Sequence, residues 1–497
     1  MRQNELCKGL TYEDCELAIL RTAVDKSEKI KGREKMQSPE LKKIITIVEN
    51  FLKLKGQICY GGTAINNILP AQDQFYDKNI EIPDYDFFSM TPLEDAKELA
   101  DIYYKAGFEE VEAKAGVHYG TFKVFVNFIP VADITLLSPE LFKNLKREAI
   151  RVAGILYSPP NYLRMAMYLE LSRPDGDTSR WEKVLKRITL LNKNYPLINK
   201  KCRDIDFQRE MEDRNNEKDI YEIVKNSLIA QGVVFFGGLA NTLYSQYMPK
   251  KLSIKLQKLP DFDVLSEDAN LCATIVKERL EEAGYKKVSI VFHEKIGEVV
   301  SEHYELRVGN DTLCFIYKPL ACHSYNEINS GGKRIKVATI DTMLSFYLAF
   351  LYTDRKYYDK ERILCMSQYL FIVQQKNRLA QKGLLRRFSL NCYGKQETLE
   401  SMRAEKTEKF MELKDNRDSP EYESWFLRYV PRENNQKNNK RKLVKRAKAT
   451  VKTVRNMTEQ VIEKTKRTIK NRKKNNTNKK KKGKHKTRKS RNFFGIF

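Results

Sequence analysis

From residue 41 to about residue 140 the apolar positions alternate between a helical period and a strand period, which predicts an α/β domain. Ile58-Cys59-Tyr60, Ile82–Phe88 and Phe122–Phe128 read as strands. Ser138-Pro139-Glu140 and Ser158-Pro159-Pro160 read as helix starts, because proline is tolerated in a first turn whose N–H groups have no helical partner. Between and after them the pattern is helical to about Leu190, and the first ~40 residues predict a short polar helical lead. The longest strongly apolar stretch, Met343–Tyr352, has ten residues where a membrane span needs about 20, so it reads as a buried core helix.

The same pattern then repeats. Gly61-Gly62 precedes Asp84-x-Asp86 as Gly237-Gly238 precedes Asp261-x-Asp263, with 22 and 23 residues from the second glycine to the first aspartate. Each copy continues through a helix-period stretch into Ala-Gly-aromatic, at Ala106-Gly107-Phe108 and Ala283-Gly284-Tyr285, 21 residues from the second aspartate to the glycine in both. His118-Tyr119 and His303-Tyr304 follow. Four matches in one order predict two tandem copies of an α/β (α+β) module, each a mixed sheet with flanking helices. The expected organisation is a helical lead over 1–40, modules over 41–190 and 191–337, a helical C-terminal region over 338–431 and a disordered basic tail over 432–497.

Charge sharpens that division. Of the 91 lysines and arginines, 26 lie between Pro431 and Phe497 against three acids, so the net +26 of the chain falls to +3 over the first 430 residues. Blocks of like charge without apolar partners do not bury enough surface to fold alone, so the tail is expected to be a movable basic arm that neutralises nucleic-acid phosphates without reading sequence. It ends in Phe493-Phe494-Gly495-Ile496-Phe497, an apolar tip suited to a partner protein. The nine cysteines show no C-x-x-C pair or regular spacing, which predicts reduced thiols in a cytosol-like compartment and argues against a zinc module. The N-terminus lacks the apolar core of a secretory signal, and no prenylation cysteine is present.

The chemistry concentrates in the first copy. On a strand, residues two apart face the same way, so Asp84 and Asp86 project together, and their repulsion falls if divalent cations sit between them. Two-metal phosphoryl-transfer sites hold their ions about 3.5–4 Å apart, a spacing an Asp-x-Asp pair bridges. Asp133, in Pro130-Val131-Ala132-Asp133-Ile134, is costly among apolar neighbours unless paired or metal-bound, and completes the set. Gly61-Gly62-Thr63 opens a helix, where glycine lets the backbone approach a ligand and the hydroxyl with free N–H groups suits a triphosphate. Arg180, Lys183 and Arg187 share one helical face, suited to phosphates or to solvent. Tyr162, Arg164 and Arg173 are weaker candidates for base or phosphate contacts, and His118 reads as structural.

These motifs resemble the polymerase-β nucleotidyltransferase superfamily. Tyr60–Leu69, Pro83–Ser89, Val131–Thr135 and Tyr162–Arg187 resemble more closely the poly(A) polymerase catalytic subunits of poxviruses and giant DNA viruses. The resemblance implies two nucleotidyltransferase modules, with Asp84, Asp86 and Asp133 as ligands of two Mg²⁺ or Mn²⁺ ions and Gly61, Gly62 and Thr63 as the triphosphate loop. It implies that the RNA 3′-hydroxyl attacks the α-phosphate of ATP, in a homodimer working in the host cytoplasm or viral factory or packaged in the virion. In the second copy Leu239 replaces Thr63, and Lys318 is expected near the third carboxylate's place, which opposes metal binding. That copy is expected to be degenerate, with Asp261 and Asp263 as remnants. Uridylyl, CCA or oligoadenylate transfer on the same fold, and a non-catalytic RNA-binding or packaging protein, are the rival readings.

Overall fold

The computed structural model describes residues 5–199, 201–202, 205–212, 214–250, 256 and 258–431, so the basic tail and its apolar tip lie outside the described residues. Residues 1–430 form one compact unit.

The chain enters through α1 (Tyr12–Gln37), capped by the Thr11 side chain on the Asp14 N–H and without a buried residue. In α2 (Pro39–Lys55), Leu41, Ile44, Val48, Phe51 and Leu52 make one buried stripe at helical spacing. The first sheet follows, with β1 (Ile58–Cys59), α3 (Gly61–Ile68), β2 (Tyr85–Ser89), α4 (Pro92–Lys105), β3 (Val111–Ala115), β4 (Thr121–Val126) and β5 (Ile129–Leu136). After α5 (Pro139–Glu148), residues expected to continue as helix fold instead into a hairpin, β6 (Ile150–Val152) and β7 (Ile155–Tyr157). Ala153 and Gly154 turn it, both with positive φ (49° and 88°), and an Ala-Gly turn carries little of the Asn-Gly signal that marks such hairpins. Helices α6 (Pro160–Leu171) and α7 (Trp181–Asn194) close the module.

The second half repeats the plan through α8 (Glu217–Ala230), β8 (Val234–Phe235), α9 (Gly238–Ser245), β9 (Phe262–Leu265), α10 (Ala269–Glu282), β10 (Val288–His293), β11 (His303–Val308) and β12 (Asp311–Tyr317). A hairpin again follows, β13 (His323–Ser330) and β14 (Lys333–Ala338), then α11 (Ile340–Phe350). With two late strands, β15 (Cys392–Tyr393) and β16 (Arg428–Tyr429), the strand order is β16-β3-β4-β5-β2-β1-β7-β6 in one sheet and β10-β11-β12-β9-β8-β14-β13-β15 in the other. Seven strands correspond in place. Both sheets are mixed, with β2–β5 and β9–β12 parallel and β1–β2 and β8–β9 antiparallel. The expected class, α/β with two mixed sheets flanked by helices, is what the chain adopts. Helix α11, buried at every residue, packs against its counterpart α6 and joins the two modules in one core. The segment after α12 (Lys360–Lys376) carries α13 (Leu399–Leu413) and α14 (Pro420–Phe426) and adds one edge strand to each sheet, β15 (Cys392–Tyr393) beside β13 and β16 (Arg428–Tyr429) beside β3.

The cysteines depart from expectation. Cys7–Cys15, Cys202–Cys365 and Cys322–Cys392 are disulfide-bonded, and only Cys59, Cys272 and Cys314, all buried, are free. Partners 163 and 70 residues apart leave no spacing signature for a sequence to show. Asp175 lies close to the Cys322–Cys392 sulfurs, which as a disulfide offer no thiolate to a metal. No described helix is long and apolar enough to cross a membrane.

Candidate active site

Three strands of the first sheet bring the carboxylates and the glycine turn together. Asp84 immediately precedes β2 and Asp86 lies two residues on, inside it. In the parallel register of β2 and β5, Asp86 sits directly beside Asp133, so the three carboxylates share one face at the edge of the apolar layer formed by Tyr85, Phe87 and Ile134. On the other side of β2, the Tyr60 N–H donates to the Asp86 carbonyl at 2.9 Å and fixes where α3 begins. Gly61 there has φ 73°, and a Cβ on it would come within 2.5 Å of Asp86 Oδ2, so the turn is closed to any larger residue. The Thr63 hydroxyl donates to the Asp84 carbonyl at 2.7 Å, which commits its proton to holding Asp84 in place.

The site is electrostatically loaded. Burial, then the charges of Asp84 and Asp133, push the Asp86 pKa up to about 7, against the pull of Lys123 and Arg180. Burial and Asp133 also raise that of Asp84. Lys123, across the β4–β5 ladder, pairs with Asp133 Oδ2. Its side chain is 37% exposed, so it stands at the rim with solvent to move into. A cluster of hard oxygen donors in which burial and repulsion hold back the ionisation of Asp84 and Asp86 fits divalent Mg²⁺ or Mn²⁺, the charge that would relieve it.

Two of the three predicted basic residues reach the turn and the carboxylates. The Arg187 guanidinium lies 3.0 Å from where a Cβ on Gly62 would be, bonded to the Tyr76 hydroxyl and 4.9 Å above the Phe75 ring. Arg180 acts on Asp86 through its charge while pairing with Glu170 at 3.0 Å. Lys183 is exposed one helical turn before Arg187. Arg164 is instead a core tie, 1% exposed, spanning Asn161, Asn192 and the Tyr195 carbonyl. His118, Tyr162, Arg173 and Arg180 line a cavity of about 610 Å³ between the modules. Lys123 and Tyr76 were not foreseen.

The second module shows the same geometry with its charge cancelled from inside. Asp261 and Asp263 sit before and within β9 beside Gly237 and Gly238, as Asp84 and Asp86 sit beside Gly61 and Gly62. Register places Phe315, not Lys318, at the position of Asp133. Lys318 lies past the end of β12 and pairs with Glu302 at 3.1 Å, so the expected cation is not in the site. The cation is Arg209, from the segment between the modules. Its guanidinium pairs with Asp261 and reaches Asp263 at 3.4 Å, its N–H donates to Asp261 Oδ2 at 3.1 Å, and it rests 4.8 Å above the Phe315 ring. Burial disfavours its charge, but the two carboxylates more than reverse that and raise its pKa.

Residues 46–177 match the family described as "Poly(A) polymerase catalytic subunit". A protein of Acanthamoeba polyphaga mimivirus described as a poly(A) polymerase catalytic subunit is 32% identical over 162 residues, 32% of this chain and 27% of its own length. One of African swine fever virus with the same description is 31% identical over 180 residues, 35% of this chain and 38% of its own. The matched part thus spans well under half of those relatives. The crystal structure of the Megavirus polyadenylate synthase superposes with a TM-score of 0.71 at 20% identity, over 90% of this chain and 92% of that one, which extends the shared fold to both modules. The residues that match that family include Asp84, Asp86, Asp133 and the glycine turn.

Proposed function

We propose that the chain is a template-independent polynucleotide adenylyltransferase that adds AMP from ATP to RNA 3′ ends. The observation that carries this reading is the contrast between two copies of one geometry. In one, three carboxylates converge on a glycine turn with a half-exposed lysine, Lys123, paired to Asp133 at the rim. In the other, an internal arginine and a phenylalanine fill the same places. Asp84, Asp86 and Asp133 would hold two divalent ions, which when bound supply Lewis acidity to the attacking 3′-hydroxyl and the departing pyrophosphate. The residues of the chain do the rest. The α3 N-terminus and Gly61-Gly62 present N–H groups to the triphosphate, and Arg187, beside Gly62, neutralises its outer phosphates, with Arg180 and Lys183 further along the path. Thr63 positions Asp84 through the main chain. Lys123 holds Asp133 until substrate and metal displace it. The second module, with Arg209 in the place of a metal, buttresses the first and is inactive.

The expected partners are an RNA 3′ end, a second copy of this chain in a homodimer, and a viral protein at the apolar tip, in the cytoplasm or viral factory. The basic tail holds the product between additions. The test is to offer each labelled NTP with an RNA primer, to the full chain and to a chain ending at Pro431. Preferential AMP incorporation by both is expected. Loss of the tail should shorten products and flatten the salt dependence of RNA affinity, whose slope for single strands is about −0.7 per phosphate neutralised. Preferential UTP use would replace this reading by terminal uridylyl transfer, and incorporation of no nucleotide would favour RNA packaging. Product lengths unchanged by tail loss at every salt concentration would remove the tail from the reaction.

A further inference from the structure

The cavity between the modules has a floor whose polar atoms lack partners. His323, the first residue of β13, is 1% exposed, and neither ring nitrogen has a hydrogen-bond partner among the described residues. The same holds for Arg173 Nε and Gln396 Oε1, and all three residues line this one cavity. Buried polar atoms are hydrogen-bonded in all but a few cases, so three such residues around one void mark where a ligand's polar groups belong. Burial, then the nearby Arg173 charge, pushes the His323 pKa down to about 3, so at neutral pH it offers one donor and one acceptor. The Gln396 amide is oriented by its N–H bond to the Glu397 carbonyl at 3.2 Å, which leaves Oε1 as an acceptor, and Arg173 Nε only donates. Tyr162, Met165 and Phe346 supply apolar wall, with Phe346 5.0 Å from the His323 ring.

A flat apolar ligand with both an amino donor and ring-nitrogen acceptors at its edge meets these demands, and about 610 Å³ holds a nucleoside. Arg180 belongs both to the cavity lining and to the charges acting on Asp86, so one side chain links the cavity to the carboxylates. Both His323, on the copy whose own acidic pair is plugged by Arg209, and Gln396, in the C-terminal region just after β15, lie outside the part matched by the family. We infer that this cavity is an adenine-reading pocket in which the second module and the C-terminal region supply specificity, with His323 and Gln396 accepting from the 6-amino group and Arg173 donating to a ring nitrogen. This rests on adenylyl transfer by the first module. The adenine is that of incoming ATP or that of the RNA 3′ terminus.

The test compares kcat/KM for ATP and for purine riboside triphosphate, which lacks the 6-amino group, on primers ending in A or in purine riboside. Variants are His323→Phe, which keeps the ring and removes both nitrogens, and Gln396→Ala. A site built to bind an amino group rejects the analogue lacking it, because its acceptor is left unpaired. The wild type should prefer ATP about tenfold to a hundredfold, and each variant should lower kcat/KM for ATP and bring that preference towards unity. Movement of the triphosphate ratio places incoming ATP in the pocket, and movement of the primer ratio alone places the RNA end there. If both ratios stay as in the wild type in both variants while AMP addition continues, the pocket assignment is overturned and the transfer reading stands. A wild type that adds no nucleotide overturns both.

Discussion

Asp86→Asn should abolish nucleotide addition and, in metal-free protein at pH 8, raise the melting temperature. The two effects have opposite signs because the same charge that would hold metal strains the fold without it. Loss of a carboxylate that positions ions worth several kcal/mol predicts a drop in kcat of about a thousandfold or more. The stability effect follows from the raised pKa. Asp86 has its folded pKa at about 7 against an ordinary 3.8, so between these values the native state holds a proton that the unfolded chain has released. Stability of the metal-free protein therefore falls as pH rises from about 4 to 7, and stays at its lower level above that. In thermal melts from pH 5 to 8, the wild type should lose melting temperature with rising pH and regain it with Mn²⁺, and Asp86→Asn should flatten both responses. A wild type whose metal-free melting temperature does not fall over that range, or a fully active variant, contradicts the assignment.

Arg209→Met should destabilise the chain by about 3–5 kcal/mol, the usual cost of removing one partner from a buried ion pair. Most of that cost is the uncompensated charge of Asp261 and Asp263 left behind, not the loss of attraction. Neutralising them in the triple variant with Asp261→Asn and Asp263→Asn should recover the larger part. Denaturant unfolding followed by circular dichroism measures it. If the triple variant is no more stable than Arg209→Met, the arginine acts through packing on Phe315 and not as the counter-charge of the acidic pair.

Much of this was legible in the sequence because it depends on local period and spacing. The duplication appeared as glycine-to-aspartate intervals of 22 and 23 residues and equal aspartate-to-glycine intervals of 21, which the sheets turn into matching strand order. What escaped depends on register and on contacts distant in the chain. The Asn127-Phe128 turn between β4 and β5 would by itself set Phe122 opposite Asp133. An irregularity between Val124 and Phe125 shifts the pairing by one residue and puts Lys123 there instead. The same dependence on register moved the expected cation of the second site from Lys318 to Arg209, more than 50 residues before Asp261 and without a motif of its own. The Ala-Gly hairpin, with three residues per strand, was too short to break a helical pattern.

Asp84, Asp86 and Asp133 are expected to clamp a pair of divalent ions while the second acidic pair holds none. Counting bound Mn²⁺ by electron paramagnetic resonance, on protein with a non-hydrolysable ATP analogue, tests it most directly. Two ions per chain are expected in the wild type, none in Asp84→Ala with Asp86→Ala, and two again in Asp261→Asn with Asp263→Asn. Ions retained by the first double variant, or lost from the second, would contradict it.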